Sequence, residues 1–394
     1  MNRIAVSPKV LRWARERAGL DAAALGKKLG ITANPADRVS QWERDGQITF
    51  KRAEKLAEKT YVPFGYLFLP EPPVERLPVA DFRTVGSTGD DQPPSPELLD
   101  VLYDAMNKQS WYRDYLIEIG ETHLEFVGTA RIEDPTQELA KRIRKEFHID
   151  TELRTEASSW ETALTLIFEA LEEQGVLILR SGVAGGNPHR PLVVGEFRGF
   201  ALSDPYAPLI FINSKDSPAG QMFTVVHELV HLWLGLSGVS NPEPVQQPSK
   251  QVELFCNAVA AEILVPETEL CQIYPASAEA DNPVAYLRRY FKVSSLVILR
   301  RMFDLKIIDW ETYLALYREE ERMFRLRREK QQEKGGGGNY YATQKARVGQ
   351  RFARALIGSA LEGRTPYREA YQLLGVKRTA TFEALARKLN FQLP

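Results

Sequence analysis

At 394 residues the chain exceeds one ordinary hydrophobic core, so two to four domains are expected. It is 44% hydrophobic and 26% charged, with no apolar run near the roughly 18 residues of a membrane span and no signal-peptide core in "MNRIAVSPKVLRWARERAGL". Two cysteines, Cys256 and Cys271, exclude a disulfide scaffold; both read as buried core thiols in a cytoplasmic protein.

The net charge of −1 names no partner, but its distribution is uneven. Residues 1–70 carry thirteen Lys/Arg against seven Asp/Glu, and residues 321–351 carry nine against three. A basic front and a basic tail therefore flank a mildly acidic middle.

The first seventy residues read as short helices. Ser7-Pro8 is a cap with proline at the first helical position, and Gly19 stops that helix. Asp21 caps a second helix ending at Gly30, Asn34-Pro35 opens a third, "FKRAEKLAEKT" makes a fourth, and "PFGYLFL" a short fifth. "LPEPPVERLP" reads as a linker. "RERAGL", "VSQWERDG" and "KRAEKLAEKTYVPFGYLFLPEPP" resemble the Xre/Cro-type helix-turn-helix. The resemblance implies a core Trp42 and an Arg15–Glu43 pair tying the first helix to the third. It also implies that Arg38, Ser40, Gln41 and Arg44 contact duplex DNA. Two features depart from that family. Ala22, Ala23 and Ala24 stand where a Gln is usual, and the turn "ITANPADR" is long. The alternative is a module used for homodimerisation or partner docking.

Residues 76–130 read as a helical spacer with a polar loop, "GSTGDDQPPSP". From about 131 the pattern changes to amphipathic helices and three β-rich runs, "VLILRSG", "FRGFALSD" and "PLIFINS". Either of the last two could offer an edge to which an extended substrate adds as a strand. The expected division is 1–75, 76–130, 131–320 and 321–394. The last segment is helical and basic, with a hinge at "EKGGGGNYY".

"FTVVHELVHLWLG" is apolar apart from Thr224, Gly235, His227, Glu228 and His231. Residues four apart share a helix face, so two imidazoles here can chelate one ion. Glu228 adjoins the first of them and can reach water rather than metal, which suits a general base. The competing reading is a helix with two satisfied core histidines. Burying these groups unpaired costs several kcal/mol, an objection that a metal removes. His123, His148 and His189 read as ordinary surface or partner-bonded histidines. A third ligand is sought downstream in "QVELFCNAVAAEILVP". Glu253 and Glu262 are nine residues apart and lie on opposite faces. Glu253 is chosen, with Asn257 one turn on to orient it, and Glu262 is assigned to the surface as a solvated or salt-bridged group.

Together, "FTVVHELVHLWLG" and "ExxCNAVAAEILVP" resemble the ImmA/IrrE metallopeptidases over roughly residues 150–275. Cys256 and Val259 replace that family's usual alanine and phenylalanine. The resemblance implies a thermolysin-like site with His227, His231 and Glu253 as ligands and Glu228 as base. Zinc is the implied metal, one per chain, although His and carboxylate serve manganese as well. The implied substrate is a protein partner, often a transcriptional repressor. Fused members also resemble antitoxins paired with a nuclease toxin, which would make the metal site regulatory. The expected fold is α+β and mainly helical: a five-helix N-terminal helix-turn-helix domain, a zincin-like core with a small sheet, and a C-terminal helical segment.

Overall fold

The structure is a computed structural model that describes residues 3–82, 94–241, 251–278, 282–332 and 347–392. The polar loop before residue 94, most of the proline-rich loop after Asn241 and the glycine hinge lie outside the described residues. The fold is mainly helical with a small sheet, an α+β architecture. It separates into two compact units, Met1–Pro78 with Gln92–Asp100, and Val79–Asp91 with Val101–Pro394.

In the first unit, α1 (Pro8–Arg17), α2 (Ala22–Lys28), α3 (Pro35–Asp45), α4 (Phe50–Thr60) and a 3-10 turn (Phe64–Phe68) enclose a core containing Val10, Leu25, Trp42 and Leu67. The caps act as the residue types dictate. Ser7 Oγ accepts from Val10 N (3.4 Å), Asp21 Oδ1 accepts from Ala24 N (2.6 Å), and Gly19 and Gly30 take positive φ. Arg15 grips Glu43 through two bonds, Nε–Oε1 at 2.6 Å and Nη2–Oε2 at 3.1 Å. These bonds raise the Arg15 pKa, because they favour the charged guanidinium. A strand pair not anticipated from sequence, β1 (Arg3–Ala5) against β2 (Gln47–Thr49), closes the unit. The expected linker is instead fastened to α1, where Lys9 pairs with Glu71 and Arg17 with Glu75.

The second unit is built on a five-stranded sheet of β3 (Ala80–Asp81), β4 (Leu177–Ser181), β5 (Gly199–Leu202), β6 (Leu209–Asn213) and β7 (Gly238–Ser240), in the order β3-β7-β5-β6-β4. β4 runs parallel to β6 and β3 parallel to β7, while β5 is antiparallel to both neighbours. The three β-rich runs are strands, but β5 and β6 are interior. The expectation that one of them offers a free edge fails, because each is paired on both sides; the edges belong to β3 and β4.

Most of the segment expected as a separate spacer belongs to this unit. It supplies β3 and most of α5 (Pro96–Glu118), whose Gln109 donates to Leu202 O and Ala207 O, both at 2.9 Å. The C-terminal helices α15 (Gln350–Leu361), α16 (Tyr367–Leu374) and α17 (Thr379–Lys388) also belong to it. Arg351 donates to Tyr112 Oη (2.7 Å) and to Glu172 O (3.0 Å).

The helix α9 (Pro218–Trp233) begins with Ser217 as cap and proline at its first position. It packs on β5 and β6 and on α10 (Gln251–Leu264), so polar and apolar residues alike are buried along it. On α10, Glu262 is buried rather than at the surface. It pairs with Arg301 of α13 (Ser295–Asp304), which also donates to Val265 O at 2.9 Å. Removing one partner strands a buried charge, so Arg301→Ala should cost about 3–5 kcal/mol. Urea unfolding measures this, and Glu262→Leu with Arg301→Met should recover most of the loss. Of the cysteines, Cys256 is buried as expected; Cys271 is exposed, and neither forms a disulfide. No helix among the described residues is long and apolar enough to cross a membrane.

Candidate metal centre

His227 and His231 lie one turn apart on α9, and Glu253 reaches them from the first turn of α10. Their donor atoms converge. The two Nε2 atoms are 3.1 Å apart, Glu253 Oε2 is 3.3 Å from His227 Nε2, and Oε1 is 3.0 Å from His231 Nε2. Ligands about 2.0–2.1 Å from a tetrahedral ion stand about 3.3 Å from one another. The observed triangle has nearly those edges, so these donors fit a small divalent cation. Two nitrogens and a carboxylate oxygen form a zinc-type donor set that leaves a fourth position open. His123, His148 and His189 are exposed, as expected, and lie outside this cluster.

The electrostatics follow from burial. Each of the four groups His227, Glu228, His231 and Glu253 retains at most 2% exposure. Burial pushes the Glu253 carboxyl up, but the two imidazoles outweigh it and hold its pKa at about 2. Burial lowers the His231 pKa, which disfavours the charged ring. Glu228 is moved the other way. Burial first, then the neighbouring Glu253 charge, push its pKa well above the usual carboxylate range; the Ser240 hydroxyl opposes this weakly.

Two contributors were not picked out from sequence. Ser240, the last residue of β7, places its Oγ 3.4 Å from His231 Nε2, beside the Glu228 carboxyl. Gly199 on β5 lets α9 approach. A Cβ there would stand 2.7 Å from Thr224 Cγ2 and 3.3 Å from Glu228 Cγ. A lone serine after a turn carries no sequence signal, but a glycine within a strand does mark close approach. Asn257, expected to orient Glu253, has a buried Oδ1 that receives no hydrogen bond. Arg38, Ser40, Gln41 and Arg44 all lie on α3, with Arg38 donating to Gln41 Oε1 at 2.9 Å.

Two histidines on a buried helix and a glutamate on the next thus form a group that could hold a metal ion beside the sheet. Residues 172–303 match the family of the IrrE N-terminal-like domain, Peptidase_M78. Residues 348–388 match a domain family of unknown function, DUF8813. The radiation response metalloprotease IrrE of Deinococcus radiodurans is 31% identical over 97 residues, which cover 23% of this chain and 30% of that protein. The matched region thus spans less than a third of that relative's length. No solved structure matches the chain. These matches support a metallopeptidase domain of the ImmA/IrrE family within the chain.

Proposed function

We propose that the second unit is a zinc-dependent endopeptidase with a thermolysin-like site in a zincin-like core. It cuts a specific protein partner, such as a transcriptional repressor, in the cytoplasm. The observation that carries this is the convergence of three donor atoms beside a separate, fully buried carboxyl group. His227, His231 and Glu253 hold the ion. When bound, zinc supplies Lewis acidity toward a carbonyl and activates water. Glu228 takes a proton from the attacking water and hands it to the leaving amine. The slot left by Gly199 makes room for the Glu228 side chain, and the buried walls exclude bulk water. The test is cleavage of protein substrates by the zinc-loaded chain. Chelation should abolish cleavage and added zinc restore it; cleavage unaffected by chelation contradicts the proposal.

The first unit is proposed as a helix-turn-helix domain that binds duplex DNA and so makes the peptidase part of a regulator. Arg38, Ser40, Gln41 and Arg44 fall in an arc of about 160° on α3, opposite buried Val39 and Trp42. Asp37 and Asp45 share that arc and subtract from its potential, so the contacts are few. Arg38→Ala and Arg44→Ala should each reduce the salt slope of DNA binding by about one. Binding that does not depend on salt would contradict this assignment.

A further inference from the structure

The residues of the metal centre are shut in, with at most 2% exposure each. A peptide can reach them only if something over them moves. Among the described side chains, two phenylalanine rings lie against the ligand imidazoles. Phe223 belongs to α9 itself and is tilted, 6.2 Å from His227 between centroids. Phe82 follows β3 and stacks on His231, with centroids 5.1 Å apart and 16° between planes.

The backbone there is equally specific. Ala80 pairs with Gly238 and Asp81 with Val239, and Phe82 N donates to Val239 O at 2.9 Å. A Cβ at Gly238 would stand 2.2 Å from the Phe82 ring, so the ring fills the slot the glycine leaves. β7 carries Ser240 into the metal centre, and its outer edge is covered by β3. Extended peptides bind proteins by adding a strand to such an edge. β3 is only two residues long and exposes both its side chains. A strand this short opens easily.

We propose that Ala80–Phe82 is an internal occupant of the peptide-docking edge of β7. An extended substrate must displace it, pairing with β7 and placing a large apolar side chain where Phe82 now covers His231. The proposal rests on the metallopeptidase reading above.

The test uses the full chain loaded with zinc: wild type, Phe82→Ala, and Phe82→Pro, which also removes the N–H that bonds Val239. Zinc loss to excess chelator and cleavage of a quenched fluorescent peptide library are followed together, with zinc content and circular dichroism confirming folded, loaded protein. Both rates should rise, zinc loss roughly tenfold, because an opened edge exposes the centre. Rates within about twofold of wild type in both variants, at equal zinc content, overturn the internal occupant alone. Absence of zinc from wild type as well as variants overturns the metal reading, and the occupant with it.

Discussion

Glu228→Gln should lower the rate of substrate cleavage by about 10²- to 10⁴-fold, the range contributed by a positioned acid–base group, and leave zinc binding intact. Glutamine keeps the volume of a fully buried side chain, so the slot at Gly199 stays filled and α9 stays seated. It removes only the capacity to carry a proton. The comparison of cleavage rate with metal content therefore separates two accounts. If the metal site served a regulator or antitoxin without proteolysis, the substitution would leave the biological output unchanged at full zinc content. Loss of zinc along with activity would instead make Glu228 part of the metal's support.

Glu253→Ala should weaken zinc binding by more than the roughly 10- to 100-fold that removal of an outer partner costs. Glu253 supplies one of three donors and the only negative charge among them. Its side chain spans both imidazoles, with one oxygen 3.3 Å from His227 and the other 3.0 Å from His231. The alanine variant leaves two buried nitrogens facing each other with no anion to offset a cation. Competition with a chelating dye measures the change. Glu262→Ala, on the opposite side of α10, should leave zinc affinity within a few-fold of wild type while destabilising the fold, because its partner is Arg301.

The parts of the site that were legible in the sequence are those set by local spacing. His227 and His231 converge because residues four apart share a helix face, and Glu228 follows from its place between them. Glu253 was separable from Glu262 by helical phase, which needs no knowledge of neighbours. What claims Glu262, however, is Arg301, 39 residues away on another helix, and no local pattern announces that partner. The same limit hid the sheet's extent. β3 and β7 have two and three residues, too few to show a period of two, so a segment that reads as spacer supplies an edge strand. α5 was legible as a helix, but its attachment through Gln109 to the end of β5 and the loop leading to β6 was not. Cys271 was misjudged because a free cysteine is usually buried, and this one lies on an exposed helix position.

The central claim is that the buried triad is a divalent-metal site. The most direct test is the metal content of the purified full chain by mass spectrometry, wild type beside Glu253→Ala. The account predicts about one zinc per wild-type chain, with the variant depleted, as three protein ligands on one ion require. A wild-type chain that stays free of metal after zinc is supplied would contradict it, and would make His227, His231 and Glu253 a buried polar cluster that serves only the fold.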